Sequence, residues 1–356
     1  MKSNRTINHL TRLSLVVFTA AVVASGQEPG SNIQTQKRAQ TGLKYLAVGS
    51  FAHLTGMAEA TTALEGTAAS LFYNPAGIAR MQGFAEVGLG TADWIADIKH
   101  NSVCMVISPW GGDFGSVGFF FQNVDYGEIQ ATVRANNDQG YLDIGTFKPG
   151  GSAIGIGYAI PLSDRFSVGG TVKLAKQNLG DGILEAIFVP GSDGKDSAST
   201  ASNSQSFKTD VVAFDFGVLY KTGIKSLAFG MAVRNFSREI KYIREGFQLP
   251  LSLRIGLSMN MLDLFDVPAS SQALVMAVDA EHPRDYDEQV RVGLEYTFAE
   301  MVSLRVGYVT PADGQAVAYG LGVKQSLAGV NLAVDYSYTP FEVFDGVYRL
   351  SLRFGF

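Results

Sequence analysis

The sequence predicts an all-β protein: a transmembrane antiparallel β-barrel of about 14 strands with an N-terminal helical hatch inside the lumen. Three observations lead there. Beyond residue 84 most of the chain alternates apolar and polar residues with a period of two, which sends successive side chains to opposite faces of a strand. The chain is poor in charge, 17% against roughly 25% in average soluble proteins, while 46% of it is hydrophobic. The polar face of the segments carries Gly, Ser, Thr and charges of both signs, which suits a wet or ion-paired interior with lipid on the other side.

The N-terminus reads as an export signal. Lys2, Arg5 and Arg12 form a charged region, "LSLVVFTAAVVA" (Leu13 to Ala24) an apolar one, and Ala24 to Gly26 a small-residue cleavage site. Residues 1–26 are therefore expected to be a signal peptide, since the apolar run is short for a membrane span. The cleavage site lacks the cysteine of a lipoprotein anchor. The polar stretch 27–40 is expected to be a flexible lead-in.

Residues 41–83 differ in character from the alternating segments: Ala-rich short helical pieces are broken by Gly and end in "LFYNPAGIARM", Leu71 to Met81. Asn-Pro is a turn signal, because Pro fixes φ and drives the preceding residue out of the helical region. Phe72, Tyr73, Ile78 and Met81 make this turn too apolar for a solvated loop. A barrel of fourteen strands has a lumen wide enough for a plug. The segment is therefore expected to fold inward as a hatch, with Asn74, Pro75, Ala76 and Gly77 as its structural motif and Phe72, Ile78 and Met81 as candidate ligand-facing residues.

The barrel, 84–356, is read as segments near 84–94, 101–109, 115–126, 152–161, 165–177, 208–221, 226–235, 250–262, 272–281, 288–299, 301–310, 315–325, 329–339 and 346–356. In the last, Tyr348, Leu350, Leu352, Phe354 and Phe356 share one face, and Arg349, Ser351, Arg353 and Gly355 the other. Ten to thirteen residues per segment suffice to cross a bilayer at a tilt. Lipid offers no hydrogen bonds, so the sheet must close. Turns such as "PLSD", "TGIK" and "AE" are tight, whereas residues 180–206 and 235–248 are expected to be long loops.

The face opposite the lipid carries Lys173, Arg234, Arg254, Arg291, Arg305, Lys324, Arg349 and Arg353 against Glu86, Asp215, Asp279, Glu295 and Asp335. Two readings stand: an ion-pair network binding hatch to wall, as buried charges need partners, or an interior that attracts anions or contacts an acidic ligand headgroup. The run "DAEHPRDYDE", Asp279 to Glu288, lacks the ligand spacing and turn glycine of a calcium loop and is expected to be a solvated loop. "GSDGKDS", Gly191 to Ser197, lacks the strand–helix context of a phosphate loop.

Other chemistry is not signalled. The single Cys104 excludes a disulfide framework and reads as packed, and the four histidines are scattered without a nucleophile–base set. No enzyme activity, cofactor or metal site is expected. A net charge of −5 gives no basic surplus for nucleic acid.

The hatch block "GMAEATTALEGTAASLFYNPAGIARM", the spacing from Thr55–Met57 to Asn74–Gly77, the strands and the terminal Phe356 together resemble the FadL-type outer-membrane barrels, and within them the PorV/PorQ family. The match extends over essentially the whole exported chain, but "GMAEA" (Gly56 to Ala60) departs from the glycine the family more often places after Gly-Met. The resemblance implies an outer-membrane location, with Phe356 as the barrel assembly signal. It implies a role in the type IX secretion system, with a translocon and cargo bearing a C-terminal signal domain as protein partners. The wider FadL-type relatives imply an alternative: transport of hydrophobic small molecules past a hatch, with a lipophilic ligand.

Overall fold

The computed structural model describes residues 41–242, 245–265, 272–312 and 314–356. The expected signal peptide and lead-in lie outside the described residues. The alternating segments form strands: β1 Ala85–Asp93, β2 Lys99–Ile107, β3 Ser116–Asp125, β4 Ile129–Arg134, β5 Tyr141–Phe147 and β6 Gly150–Pro161. Then come β7 Phe166–Pro190, β8 Asp196–Lys221, β9 Ala228–Ser237, β10 Ile240–Lys241, β11 Gly246–Phe247 and β12 Ser252–Asn260. The last are β13 Gln272–Pro283, β14 Gln289–Phe298, β15 Val302–Thr310, β16 Val317–Leu327, β17 Val330–Thr339 and β18 Val347–Gly355.

Fourteen of these close into an antiparallel barrel in which each strand pairs with the next, and β1 pairs with β18 from Glu86↔Gly355 to Asp93↔Tyr348. β4–β5 and β10–β11 are separate two-stranded hairpins at the end opposite the barrel termini. That end, which carries the longer excursions, is called the loop end and the other the turn end.

The alternation sorts the two faces as expected. On β18 Tyr348 and Leu350 are exposed while Arg349 and Ser351 are buried, and on β15 Leu304, Val306 and Tyr308 face out while Arg305 is buried. Exposed aromatics border this apolar belt, among them Tyr308, Tyr319 and Tyr348 toward the loop end and Trp110, Phe114 and Phe298 at the turn end, the girdles expected at lipid–water interfaces. The barrel is therefore transmembrane. Among the described residues no helix is long and apolar enough to cross a membrane.

Two expected loops are partly strand. Residues 180–206 continue β7 and β8 as a two-stranded extension, with pairing as far as Pro190↔Asp196. Such an extension stands clear of the barrel wall, so the Ser/Thr-rich stretch 196–206 needs no apolar alternation to be strand. Residues 235–248 contain β10–β11.

Residues 41–83 run down the lumen from the loop end to the turn end. Thr41 bridges Gln248 and bonds Asp285 at one end, and Arg80 donates to Ser163 O at the other. The segment is less helical than expected. It holds one α-turn, Ala52–Thr55, and 3-10 turns at Lys44–Ala47, Ala68–Phe72 and Pro75–Arg80. Pieces of four to six residues are too short to be stable alone, so packing against the wall holds them.

Glycine makes that packing close. On the lumen face, cross-strand pairs Gly118↔Gly157, Gly169↔Gly217, Gly230↔Gly256 and Gly293↔Gly307 leave flat patches in the wall. Leu71 seats on the first, Asn74-Pro75 on the second, Thr62 on the third and Met57 on the fourth. A Cβ at Gly169 would lie 2.7 Å from the Pro75 carbonyl carbon, and one at Gly293 2.7 Å from Met57 Cβ.

Candidate functional site

The NPAG turn seals hatch to wall. Asn74 is buried; it caps the Pro75–Arg80 turn by accepting from Ala76 N at 3.1 Å. Its Nδ2 donates to Thr62 O at 2.7 Å and to Val218 O on β8 at 3.0 Å. One side chain thus joins two parts of the hatch to the barrel. Gly77 leaves room for Ser70, and Ala76 is buried. Ile78 and Met81 are buried with Leu71 and Phe120 in the hatch–wall core, and Phe72 packs on Phe51 and Phe120 with ring centroids 5.3 and 5.0 Å away. None of these three lines the loop-end cavities described below. Phe356 is exposed at the turn end, its carbonyl accepting from Phe84 N at 2.7 Å.

Most of the lumen charges pair between nearby strands of the wall. Lys173 bonds both oxygens of Asp215 at 2.8 Å, and Asp215 also accepts from Thr171 and Asn235 N. Asp335 bridges Arg305 at 2.8 Å and Arg353 at 3.1 Å, while Arg305 also reaches Glu295. Glu86 caps the Ala68–Phe72 turn, accepting from Thr67 Oγ1 and Ala68 N. Asp279 accepts from Thr61 N, Thr62 N and Thr62 Oγ1. Lys324 departs from the expectation: it is exposed, toward the turn end of β16.

The acidic run 279–288 is not simply a solvated loop. Asp279 and Glu281 are buried on β13, and Asp285 is buried in an ion pair with Lys44. Glu281 and the hatch residue Glu59 were both missed by the sequence reading. Glu281 lies two residues beyond Asp279, hence on the same lumen face, so its position was signalled; Glu59 carried no comparable signal.

These charges gather at the loop end around a cavity of about 470 Å³. Its floor is the hatch turn at Ala58 and Glu59, both left-handed at φ 52° and 60°, a region that non-glycine residues adopt infrequently. Wall arginines hold this turn. Arg291 donates to Ala58 O at 3.1 Å, and Arg254 donates to Glu59 O and to the Glu59 carboxylate, each at 3.2 Å. Glu281 joins the two arginines, at 3.0 Å from Arg254 and 2.8 Å from Arg291. Burial pushes the Glu59 carboxyl up, but Arg254, Arg291 and Arg234 outweigh it and hold it below the usual carboxylate range.

Arg234 follows the lumen alternation of β9, and a β-bulge adds Asn235 beside it. Phe214 pairs with Phe236 and Phe216 with Val233, so Arg234 and Asn235 together face Asp215. Asn235 takes φ 60° and bonds Pro250 O at 2.9 Å.

A second cavity, about 1630 Å³, lies beside the first and shares Lys44 and Leu251 with it. Tyr126, Leu179, Phe207, Tyr242 and Phe247 line it, with the Tyr242 and Phe247 rings stacked 5.0 Å apart. Val233 and Leu253 also reach it; both alternate with buried lumen residues and so belong to the lipid-facing side of β9 and β12.

A closed fourteen-strand antiparallel barrel, an apolar outer belt and a plugged lumen define a transmembrane β-barrel with an N-terminal segment folded into its interior. Solved structures agree with this fold. The Ralstonia pickettii toluene transporter TbuX superposes with a TM-score of 0.55 at 12% identity, covering 86% of this chain and 97% of its own. The Pseudomonas putida toluene transporter TodX gives 0.52 at 13%, covering 83% and 94%. A Pseudomonas aeruginosa FadL homologue gives 0.51 at 12%, covering 87% and 99%. No family model and no curated protein matches the sequence.

Proposed function

We propose that this protein is an outer-membrane channel that takes up hydrophobic small molecules. The observation that carries the reading is the large cavity at the loop end, which gathers four aromatic rings and runs onto the lipid-facing side of β9 and β12. A lipophile can partition into such a cavity by burying apolar surface against rings and aliphatic side chains. Likeness to two toluene transporters and a FadL homologue supports it. The hatch blocks a straight aqueous route, so passage requires hatch residues to move. In this reading the loop end faces outward and Phe356 lies on the periplasmic side.

The test is uptake of labelled toluene and of labelled oleate by cells lacking other FadL-type channels, with and without this protein. Faster uptake of at least one is expected. Equal uptake of both, with the barrel assembled in the outer membrane, sinks the proposal.

The PorV/PorQ resemblance implies another role, binding a translocon and cargo in type IX secretion. Its support is the hatch motif and the chain layout, whereas the solved relatives favour transport. Loss of surface proteins on deleting the gene would favour secretion.

A further inference from the structure

The smaller loop-end cavity holds a cluster of buried charge. Lys44, Arg234, Arg254, Arg291 and Arg349 line it, against Glu59, Glu281 and Asp285. The three carboxylates are spoken for: Glu59 and Glu281 by Arg254, Glu281 also by Arg291, and Asp285 by Lys44.

Two buried guanidiniums have no carboxylate within ion-pair distance among the described residues, although Glu59 lies within electrostatic reach of both. Arg234, 7% exposed, donates Nη2 to Leu46 O at 3.3 Å, lies 5.3 Å from the centre of the Tyr73 ring, and its Nε has no partner. Arg349, 5% exposed, donates to Gly49 O at 2.8 Å and Thr339 Oγ1 at 3.0 Å, and lies 5.4 Å from the centre of the Trp94 ring. Neutral carbonyls, a hydroxyl and ring faces compensate a buried positive charge only in part. Guanidinium is suited to gripping an oxyanion through paired N–H donors.

We propose that this cavity is a binding site for a compact oxyanion, a phosphate or a carboxylate group, held by Arg234 and Arg349. Glu59 is the resident competitor. It reaches up from the hatch into the same arginine cluster, bonded to Arg254 and 3.4 Å from Tyr73 Oη. An oxyanion entering the cavity repels the Glu59 carboxylate and competes for its arginines, so binding there and hatch docking oppose each other, and the coupling is reciprocal. The inference goes beyond the uptake of lipophiles and does not rest on it, because it concerns equilibrium binding of a hydrophilic anion.

Trp94 makes the test direct. The chain has two tryptophans; Trp94 lines the cavity beside Arg349, and Trp110 is exposed in a turn at the far end. In purified full-length Trp110→Phe protein, Trp94 emission is followed during titration with sodium phosphate, with sodium chloride at matched ionic strength as the reference. A saturable change with phosphate and none with chloride is expected. Arg234→Gln in the same background should weaken binding roughly tenfold, as for loss of one charge-assisted contact. Glu59→Gln should tighten it. Sodium acetate, titrated in parallel, separates the sources: a stronger response to phosphate marks a phosphate site and a stronger response to acetate a carboxylate site.

Heat-modifiable gel mobility verifies that each variant is a folded barrel. Absence of a saturable response to both anions overturns the proposal, as does unchanged affinity in folded Arg234→Gln. If Arg234→Gln fails to assemble, Glu59→Gln decides, and unchanged or weaker binding in it overturns the proposal.

Discussion

Replacing Asn74 by Ala should release the hatch while leaving the barrel closed. The side chain accepts one hydrogen bond, from Ala76 N, and donates two, to Thr62 O and Val218 O. A net worth of about 1 kcal/mol per bond gives about 3 kcal/mol, and the buried groups left without partners add to it. At 1.4 kcal/mol per tenfold, the undocked population should rise about 100-fold. Barrel pairing does not involve this side chain, so heat-modifiable mobility should be kept. The assay is hydrogen exchange of the amides between residues 61 and 80, with single-channel conductance in planar bilayers as a second readout. Gly217→Ala attacks the same contact from the wall, since its Cβ would overlap Asn74 Oδ1. The two substitutions should therefore be strongly non-additive. Unchanged exchange in Asn74→Ala, or strictly additive effects in the double variant, would refute the assignment of this turn as the hatch's anchor.

The same geometry sets three further outcomes. Asp335→Asn removes the buried carboxylate shared by Arg305 and Arg353 and should cost about 3–5 kcal/mol, read as a lower unfolding temperature on heated gels. Acid should loosen the hatch: Glu59 has a lowered pKa in the fold, so its contribution is complete above the ordinary value of 4.5 and is lost as pH falls through the lowered one. Glu59→Gln should remove this part of the acid response, measured as conductance against pH; Glu281 and Tyr73 also face this carboxylate. Tyr242→Ala removes the stack on Phe247, worth about 0.5–1.5 kcal/mol, and should weaken retention of a lipophile several-fold in a nanodisc binding assay.

Particular elements show how far periodicity carries. β18 and β15 were readable because each side chain facing lipid must be apolar and each lumen neighbour need not be. β7 and β8 were readable only within the membrane. Beyond it, their extension stands clear of the barrel wall, so pattern no longer distinguishes paired strand from loop. The NPAG turn was legible as an apolar turn needing a shelter. Its shelter, the Gly169↔Gly217 patch, was not, because those glycines are 48 residues apart and become neighbours only through strand register.

The charges divide in the same way. Alternation assigned Arg254, Arg305, Arg349, Asp215 and Asp335 to the interior, since one face of a membrane strand excludes them. It could not assign partners, because pairing depends on how strands and hatch register in space. The β8–β9 register sets Arg234 opposite Asp215, yet Asp215 goes to Lys173 and Arg234 keeps no ion pair.

By itself, the sequence determined which face of each strand meets lipid, and with it the closed barrel and a plug drawn from residues 41–83. These follow from a local rule, that hydrocarbon rejects charge and unpaired backbone. Only the tertiary structure decided that Glu59 stands among wall arginines and that Arg234 and Arg349 are left without an ion pair beside a cavity. Those are distances between segments far apart in the chain, and no periodicity encodes them.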